Sequence, residues 1–241
     1  MASHRGGRAA RLNRPMRQLA LDIRTELPLS FATFVPGANA ELLARLRAIA
    51  APKSFESIYV WGPQGSGRTH LLCAAREAAL DAGRPVSFAA GAEAGDDLRL
   101  PRGGLLIVDD VEALNEPGQI ALFRAFNTAR LIGMAILLSG AAPPAQLALR
   151  EDLRTRVGSA LVFEVRPLSD EDKARTLERH AAGRGIELAG EVIDYLLSRG
   201  RRDLPSLLAV LDALDRASLE RKRHITVPLL KEVLAEDAPR D

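Results

Sequence analysis

One eight-residue turn constrains this chain more than any other feature. Gly62-Pro-Gln-Gly-Ser-Gly-Arg-Thr69 follows a strand-like apolar run, Ser-Ile-Tyr-Val-Trp at 57–61, and leads into a helical pattern over 69–82 that Gly83 stops. It fits the phosphate-loop pattern G-x-x-x-x-G-K-[ST] except that Arg68 stands for the lysine. The glycines let the backbone curl so that successive N–H groups converge. The N-terminal end of the following helix adds positive potential at the same point. A plain glycine-rich turn between strand and helix is the alternative, and the rest of the chain has to decide between them.

The deciding partner is Leu105-Leu-Ile-Val-Asp109-Asp110, an apolar run ending in two acids. Such a strand is the usual magnesium-side companion of a phosphate loop. Thr69 is then expected to offer its hydroxyl to Mg²⁺, Asp109 to hold the metal directly or through water, and Asp110 to polarise an attacking water. Arg68 keeps a permanent charge, but its planar head is wider than a lysine ammonium. Nucleotide binding should survive this exchange, and fast intrinsic hydrolysis should not be expected.

Further strands are read at 85–90, 134–139 and 161–165, with helices at 39–50, capped by Asn39, and at 117–131, with Pro117 in the first turn. A short helix is expected over 150–158. Strands alternating with helices imply a parallel sheet covered on both faces, and the runs 105–108 and 135–138 suit central strands. From Ser169 on the strand signal stops. Four helical stretches follow at about 170–183, 189–199, 203–221 and 226–235, the first opened by Ser169 with Asp172 three residues on. Leu204, Leu207, Leu208, Leu211 and Leu214 form the core stripe of the third. The fold class is therefore α/β, a parallel-sheet nucleotide domain over 38–167 followed by a small all-α lid over 168–236.

Charge is unevenly placed. Arg5, Arg8, Arg11, Arg14 and Arg17 give the first 17 residues +5 with no acid, so of 33 Lys and Arg, 28 remain against 31 acids, or −3. That tail reads as disordered, or as upstream of a true start at Met16. A mildly acidic body lacks the basic face of a nucleic-acid-binding domain. The single cysteine, Cys73, precludes an internal disulfide and fits a reducing cytoplasm; it is read as a small buried residue on its helix. No run of about 18 apolar residues suggests a membrane span. His70, His180 and His224 have no acid or serine partner at recognisable spacing, and no catalytic role is assigned to them.

Several stretches together resemble the bacterial replication initiator DnaA, and more closely the DnaA-related regulatory inactivator (Hda) family. They are residues 62–72 (GPQGSGRTHLL), the Asp109-Asp110 pair, Ser139 with Pro143-Pro144, Pro167-Leu-Ser-Asp-Glu-Asp-Lys173, Leu211-Asp-Ala-Leu-Asp-Arg-Ala-Ser218 and Lys231-Glu-Val-Leu234. The resemblance spans roughly residues 18–235. It implies an AAA+ P-loop fold binding ADP or ATP with Mg²⁺, through Gly62, Pro63, Gln64, Gly65, Ser66, Gly67, Arg68, Thr69, His70, Ser139 as polar sensor and Arg202 as the lid's sensor arginine. It implies docking on the DNA polymerase sliding clamp through the motif 18–23, with Gln18, Leu19, Leu21 and Ile23 as contacts. It also implies that Arg156, in Asp152-Leu-Arg-Thr-Arg156-Val-Gly158, is an arginine finger acting in trans on ATP held by the initiator DnaA. The outcome would be to prevent re-initiation.

Simpler readings stand beside these. Residues 18–23 suit a stray apolar segment packed on the body, and in an arginine-rich chain Arg154 and Arg201 are alternatives to Arg156 and Arg202. This sequence departs from the family at Ala141, where relatives often carry an acid, and Asp22-Ile23 replaces the stronger endings of clamp motifs. Only 17 residues follow His224, too few for the initiator's DNA-binding domain, so sequence-specific DNA binding by that route is not expected. A homo-oligomer is compatible with everything above. Two function classes compete: a nucleotide-bound regulator that activates a partner's ATPase, and an autonomous AAA+ ATPase such as a helicase loader or truncated initiator. Arg68 and the motif 18–23 favour the first.

Overall fold

The computed structural model describes residues 29–199 and 203–236. The basic tail 1–17, the motif 18–23 and Arg201 and Arg202 lie outside them.

Helix α1 (Ala40–Ala50) is followed by β1 (Ser57–Trp61), α2 (Arg68–Asp81), β2 (Val86–Ala90), β3 (Leu105–Asp109), a 3₁₀ turn (Val111–Ala113), α3 (Glu116–Ile132), β4 (Ala135–Gly140), a second 3₁₀ turn (Pro144–Gln146), α4 (Glu151–Gly158) and β5 (Leu161–Glu164). The lid comprises α5 (Asp170–Ala182), α6 (Gly190–Arg199), α7 (Leu204–Arg221) and α8 (Val227–Glu236). All strand pairs are parallel, in the order β2-β3-β4-β1-β5. Alternate strand residues face opposite layers. Ile58, Val60, Leu105, Ile107 and Leu137 pack under α1 and α2, while Tyr59, Leu106, Val108, Ile136 and Leu138 pack under α3 and α4. Being fully buried on both faces, β3 and β4 need the unbroken apolar runs that the sequence supplies. The lid has its own core, built around Leu177, Leu196, Leu207, Leu211, Leu214, Leu229 and Leu230. Leu208 is only partly buried there and Leu204 half-buried, so the expected stripe is narrower by its edges.

Most caps follow the sequence. The Asn115 side chain accepts from Gly118 N–H at 2.8 Å with Pro117 in the first turn, Ser169 accepts from Asp172 N–H at 3.1 Å, and Asp203 accepts from Ser206 N–H at 2.9 Å. Asn39 departs from expectation. It stands at the N-cap position of α1 but makes no cap bond. Its amide instead donates to the Pro36 and Arg166 carbonyls and accepts from Arg166 N–H at 2.8 Å, so it ties the start of α1 to the link between β5 and the lid. Three bonds to backbone groups outcompete one bond to a helix end. Cys73 is half-buried, on the flank of the α2 stripe formed by Leu71, Leu72, Ala75 and Ala79.

At the opposite end of the sheet from the glycine loop lies Arg84, which is only 3% exposed. No carboxylate pairs with it among the described residues. It donates instead to the carbonyls of Ile49, Ala51 (2.8 Å), Ser54 (2.6 Å), Gly103 (3.2 Å) and Gly104 (2.8 Å). Burial lowers its pKa from the usual range. One guanidinium thereby joins the end of α1, the approach to β1 and the approach to β3. Removing it orphans several buried carbonyls at once. Arg84→Met is expected to lower stability by about 3 kcal/mol or more in urea denaturation. Arg84→Lys should recover little, because a point charge cannot reach five acceptors. A loss below about 1 kcal/mol would show that these bonds are replaced by water.

Candidate phosphate site

Parallel strands deliver their carboxyl ends to one edge of the sheet, and every candidate group of this site arises there. β1 ends in the loop 62–67, β3 in Asp109 and Asp110, and β4 in Ser139 and Gly140. The loop is anchored by Gly62 N–H to the Gly140 carbonyl at 3.3 Å, and it turns through Ser66 N–H to the Pro63 carbonyl at 3.2 Å. Gly67 caps α2 at φ +99°, where a side chain is strained, and a Cβ there would lie 2.8 Å from the Phe34 ring. A Cβ on Gly65 would lie 2.9 Å from Asp203 Cβ, so the first turn of α7 comes down against the loop. Lid and loop meet at a point too close for any residue but glycine.

His70 packs on the segment that precedes α1. Its Nε2 donates to the Ser30 carbonyl at 2.9 Å and lies 3.4 Å from Thr33 Oγ1, and its ring meets Phe34 edge-to-face at 5.3 Å. It fastens segment 30–34 onto α2. Thr69 is exposed at the mouth.

Ser139 and Asp109 sit side by side because β4 lies next to β3. The Ser139 hydroxyl donates to Asp109 Oδ1 and accepts from Asp110 N–H at 2.9 Å. Asp109 is 7% exposed and Ser139 fully buried. Asp110 adopts the left-handed region at φ +51°, which an aspartate tolerates. Burial first, and then the charge of Asp109, hold the Asp110 carboxyl above the usual carboxylate range; Arg68 opposes them. Arg68 turns its head toward the acids. Its Nη1 lies 3.2 Å from Asp110 Oδ1 and 3.8 Å from Glu112 Oε1, contacts of ion-pair distance without hydrogen-bond geometry.

Glu112 was not singled out from the sequence, although a third acid close behind Asp109-Asp110 was a signal that could have been used. Its Oε1 accepts from Ala141 N–H at 2.8 Å, and its charge adds to burial in pushing the Tyr59 hydroxyl far above its ordinary range. Tyr59 donates to the Ala142 carbonyl at 2.6 Å. Ser66 Oγ, Arg68 Nη1 and Glu112 Oε2 are buried without a hydrogen-bond partner, and they are the only such side-chain atoms among the described residues. Native interiors seldom leave buried polar atoms unpaired. Ser66 and Arg68 are donors on the loop itself, as a phosphate ligand requires. No cluster of three His, Cys, Asp or Glu among the described residues could hold a metal alone. Magnesium at a phosphate loop needs fewer, since phosphate and water supply most of its oxygens. The exposed Thr69 hydroxyl and Asp109 are the donors this site offers.

Arg156 lies elsewhere, exposed on α4. Its Nη2 donates to Asn127 Oδ1 at 3.0 Å and its guanidinium rests 5.9 Å from the Phe123 ring centre, both on α3. The short helix expected over 150–158 is present as α4. Half-buried Arg154 lies with Pro143, Pro144, Gly158 and Val162 along a shallow groove. In the lid, His180 has an acid partner that spacing did not reveal: Asp212 at 2.8 Å, shared with Arg184 at 2.7 Å, which ties α5 to α7.

Residues 170–234 match the family model described as Hda, lid domain. The whole architecture is similar to domain III of the Thermotoga maritima replication initiation protein DnaA, with a TM-score of 0.71 at 18% identity over 88% of this chain and 97% of that one. AMPPCP-bound DnaA from Aquifex aeolicus gives 0.66 at 23% identity, covering 82% and 69%. The Thermotoga maritima RuvB Holliday junction branch migration motor gives 0.65 at 16%, covering 87% and 72%. The fold is thus the one these AAA+ neighbours share, a parallel-sheet domain followed by a helical lid.

The Ser139 hydroxyl satisfies two groups that no other side chain among the described residues hydrogen-bonds. Ser139→Ala leaves Asp109 and the Asp110 N–H short of a partner and is expected to destabilise the protein by about 2 kcal/mol in urea unfolding. A change of less than about 0.5 kcal/mol would mean that water replaces the hydroxyl.

Proposed function

We propose that this chain, a DnaA-related AAA+ protein with an Hda-type lid, is a nucleotide-bound cytoplasmic regulator of chromosome replication initiation. In this reading it holds ADP or ATP with Mg²⁺ at 62–69, docks on the DNA polymerase sliding clamp through Gln18, Leu19, Leu21 and Ile23, and stimulates ATP hydrolysis by the initiator DnaA. The lid match is the single observation that carries it. The AMPPCP bound by the Aquifex aeolicus protein supports an adenine nucleotide. The orphaned donors Ser66 Oγ and Arg68 Nη1 support a phosphate ligand. The contacts of Arg156 on α3 support a finger that serves a partner's nucleotide, since its own phosphate loop is not what holds it.

The second reading, an autonomous ATPase, draws on the half-exposed Asp110 beside Asp109, where a water could be polarised. Arg68 weighs against it. Its charge faces Asp110, so the acid's charge is partly neutralised where a catalytic base would need it free.

A finger supplied in trans stabilises charge on the transferring phosphoryl group and is worth about 10³-fold or more. Arg156→Ala should abolish stimulated phosphate release from ATP-loaded initiator in the presence of clamp on DNA, with fold and ADP binding unchanged. Arg156→Lys should restore little. Undiminished stimulation by Arg156→Ala would move the finger to Arg154 or remove the initiator as target. Robust DNA-stimulated turnover by this protein alone would favour the autonomous enzyme.

Anchor residues of short docking motifs carry about 2 kcal/mol each. The Gln18→Ala, Leu21→Ala double variant should therefore weaken binding to an immobilised clamp by at least about tenfold while leaving ADP affinity unaltered. Equal clamp affinity would exclude the motif.

A further inference from the structure

The charge on Arg68 has two claimants. Phosphates are one, if 62–69 holds a nucleotide as proposed above. The acids beside it are the other. The Arg68 side chain is only 12% exposed, and its Nη1 lies 3.2 Å from Asp110 Oδ1 and 3.8 Å from Glu112 Oε1. Both acids sit on fixed backbone, although the Asp110 side chain is 49% exposed. Asp110 is set by its left-handed backbone and by the bond from its N–H to Ser139 Oγ. Glu112 is set by the bond from Ala141 N–H to its Oε1, and its other oxygen is buried without a partner.

The three orphaned atoms make the conflict explicit. A phosphate would satisfy Ser66 Oγ and Arg68 Nη1, which donate. It would not satisfy Glu112 Oε2, an acceptor that repels phosphate oxygens. A nucleotide therefore has to draw Arg68 from its counter-ions and then lie near the charge left behind. In a partly buried setting this electrostatic cost is weakly screened.

We propose that Asp110 and Glu112 are affinity-determining residues of the nucleotide site, which hold Arg68 against the phosphates and weaken nucleotide binding. A role in holding metal or polarising water predicts the opposite sign or none. Neutralising a metal-holding acid weakens Mg²⁺-nucleotide binding, and neutralising a water-polarising acid leaves binding unchanged.

Two conservative variants test this. Asp110→Asn keeps a side chain that tolerates the left-handed region. Glu112→Gln keeps an acceptor for Ala141 N–H. ADP is titrated calorimetrically into the full chain, wild type and each variant, once with Mg²⁺ and once with EDTA, after thermal unfolding has confirmed that each is folded. Each variant is expected to bind ADP about two- to fivefold more tightly, and to do so in EDTA as well, because the competition is for Arg68 and not for a metal. Either variant alone decides the matter. If wild type binds and the folded variants bind equally or more weakly, the proposal is overturned and the nucleotide site stands. If no protein binds ADP under either condition, the reading of 62–69 as a nucleotide site fails, and the proposal with it.

Discussion

The strand order is the constraint on which this site depends. In β2-β3-β4-β1-β5 the glycine loop follows β1 and the paired aspartates follow β3, but β1 and β3 never touch. β4 lies between them, and its end supplies both connections. The Gly140 carbonyl receives Gly62 N–H, and the Ser139 hydroxyl reaches Asp109 and Asp110. A serine anywhere else on the strand would miss one or both. Because β4 is buried on both faces, its register cannot slip without turning Ile136 and Leu138 out of one layer and Leu137 out of the other. The apolar core thus fixes the polar site to within a hydrogen bond.

Much of this was legible in the sequence, and the divide follows the range of the interactions. Periodicity located the five strands and the lid helices, since a buried strand or an amphipathic helix is written in consecutive residues. The loop 62–69 and the pair Asp109-Asp110 were legible for the same reason. What escaped detection is held by contacts distant in sequence. Asn39 looked like a cap, but its partner Arg166 lies 127 residues away. Arg84 carries no local signal, yet it gathers carbonyls from the end of α1 and the approaches to β1 and β3. His180 had no local acid because Asp212 is on another helix of the lid. Glu112 was hidden differently: an acid after two acids reads as a solvated turn until Arg68 and Ala141 are seen around it.

The exchange of lysine for arginine in the loop has a consequence that motif matching does not show. A lysine ammonium is a compact, strongly hydrated charge that can sit deep between phosphates. A guanidinium is broad, and here it spans the mouth toward the far acids. The same acids that a hydrolytic enzyme would use on water become counter-ions. Under the proposed function this is no defect, since a regulator acting on a partner's ATP needs its nucleotide as a structural ligand and gains nothing from consuming it.

The segment leaving β4 then links this site to α4. It begins with Ser139 on Asp109, continues with Ala141 N–H on Glu112 and the Ala142 carbonyl on Tyr59, passes Pro143 and Pro144, and ends in α4 with Arg156. Its first residues are pinned by buried polar bonds. Among the described residues, Arg156, at the far end, is held by one exposed hydrogen bond and one ring face, each contributing on the order of 1 kcal/mol or less. Under the proposed function, a rigid root and a lightly held tip suit a finger: the helix that carries the guanidinium is fixed in place, and in that reading the guanidinium leaves Asn127 and Phe123 for an anion on the partner.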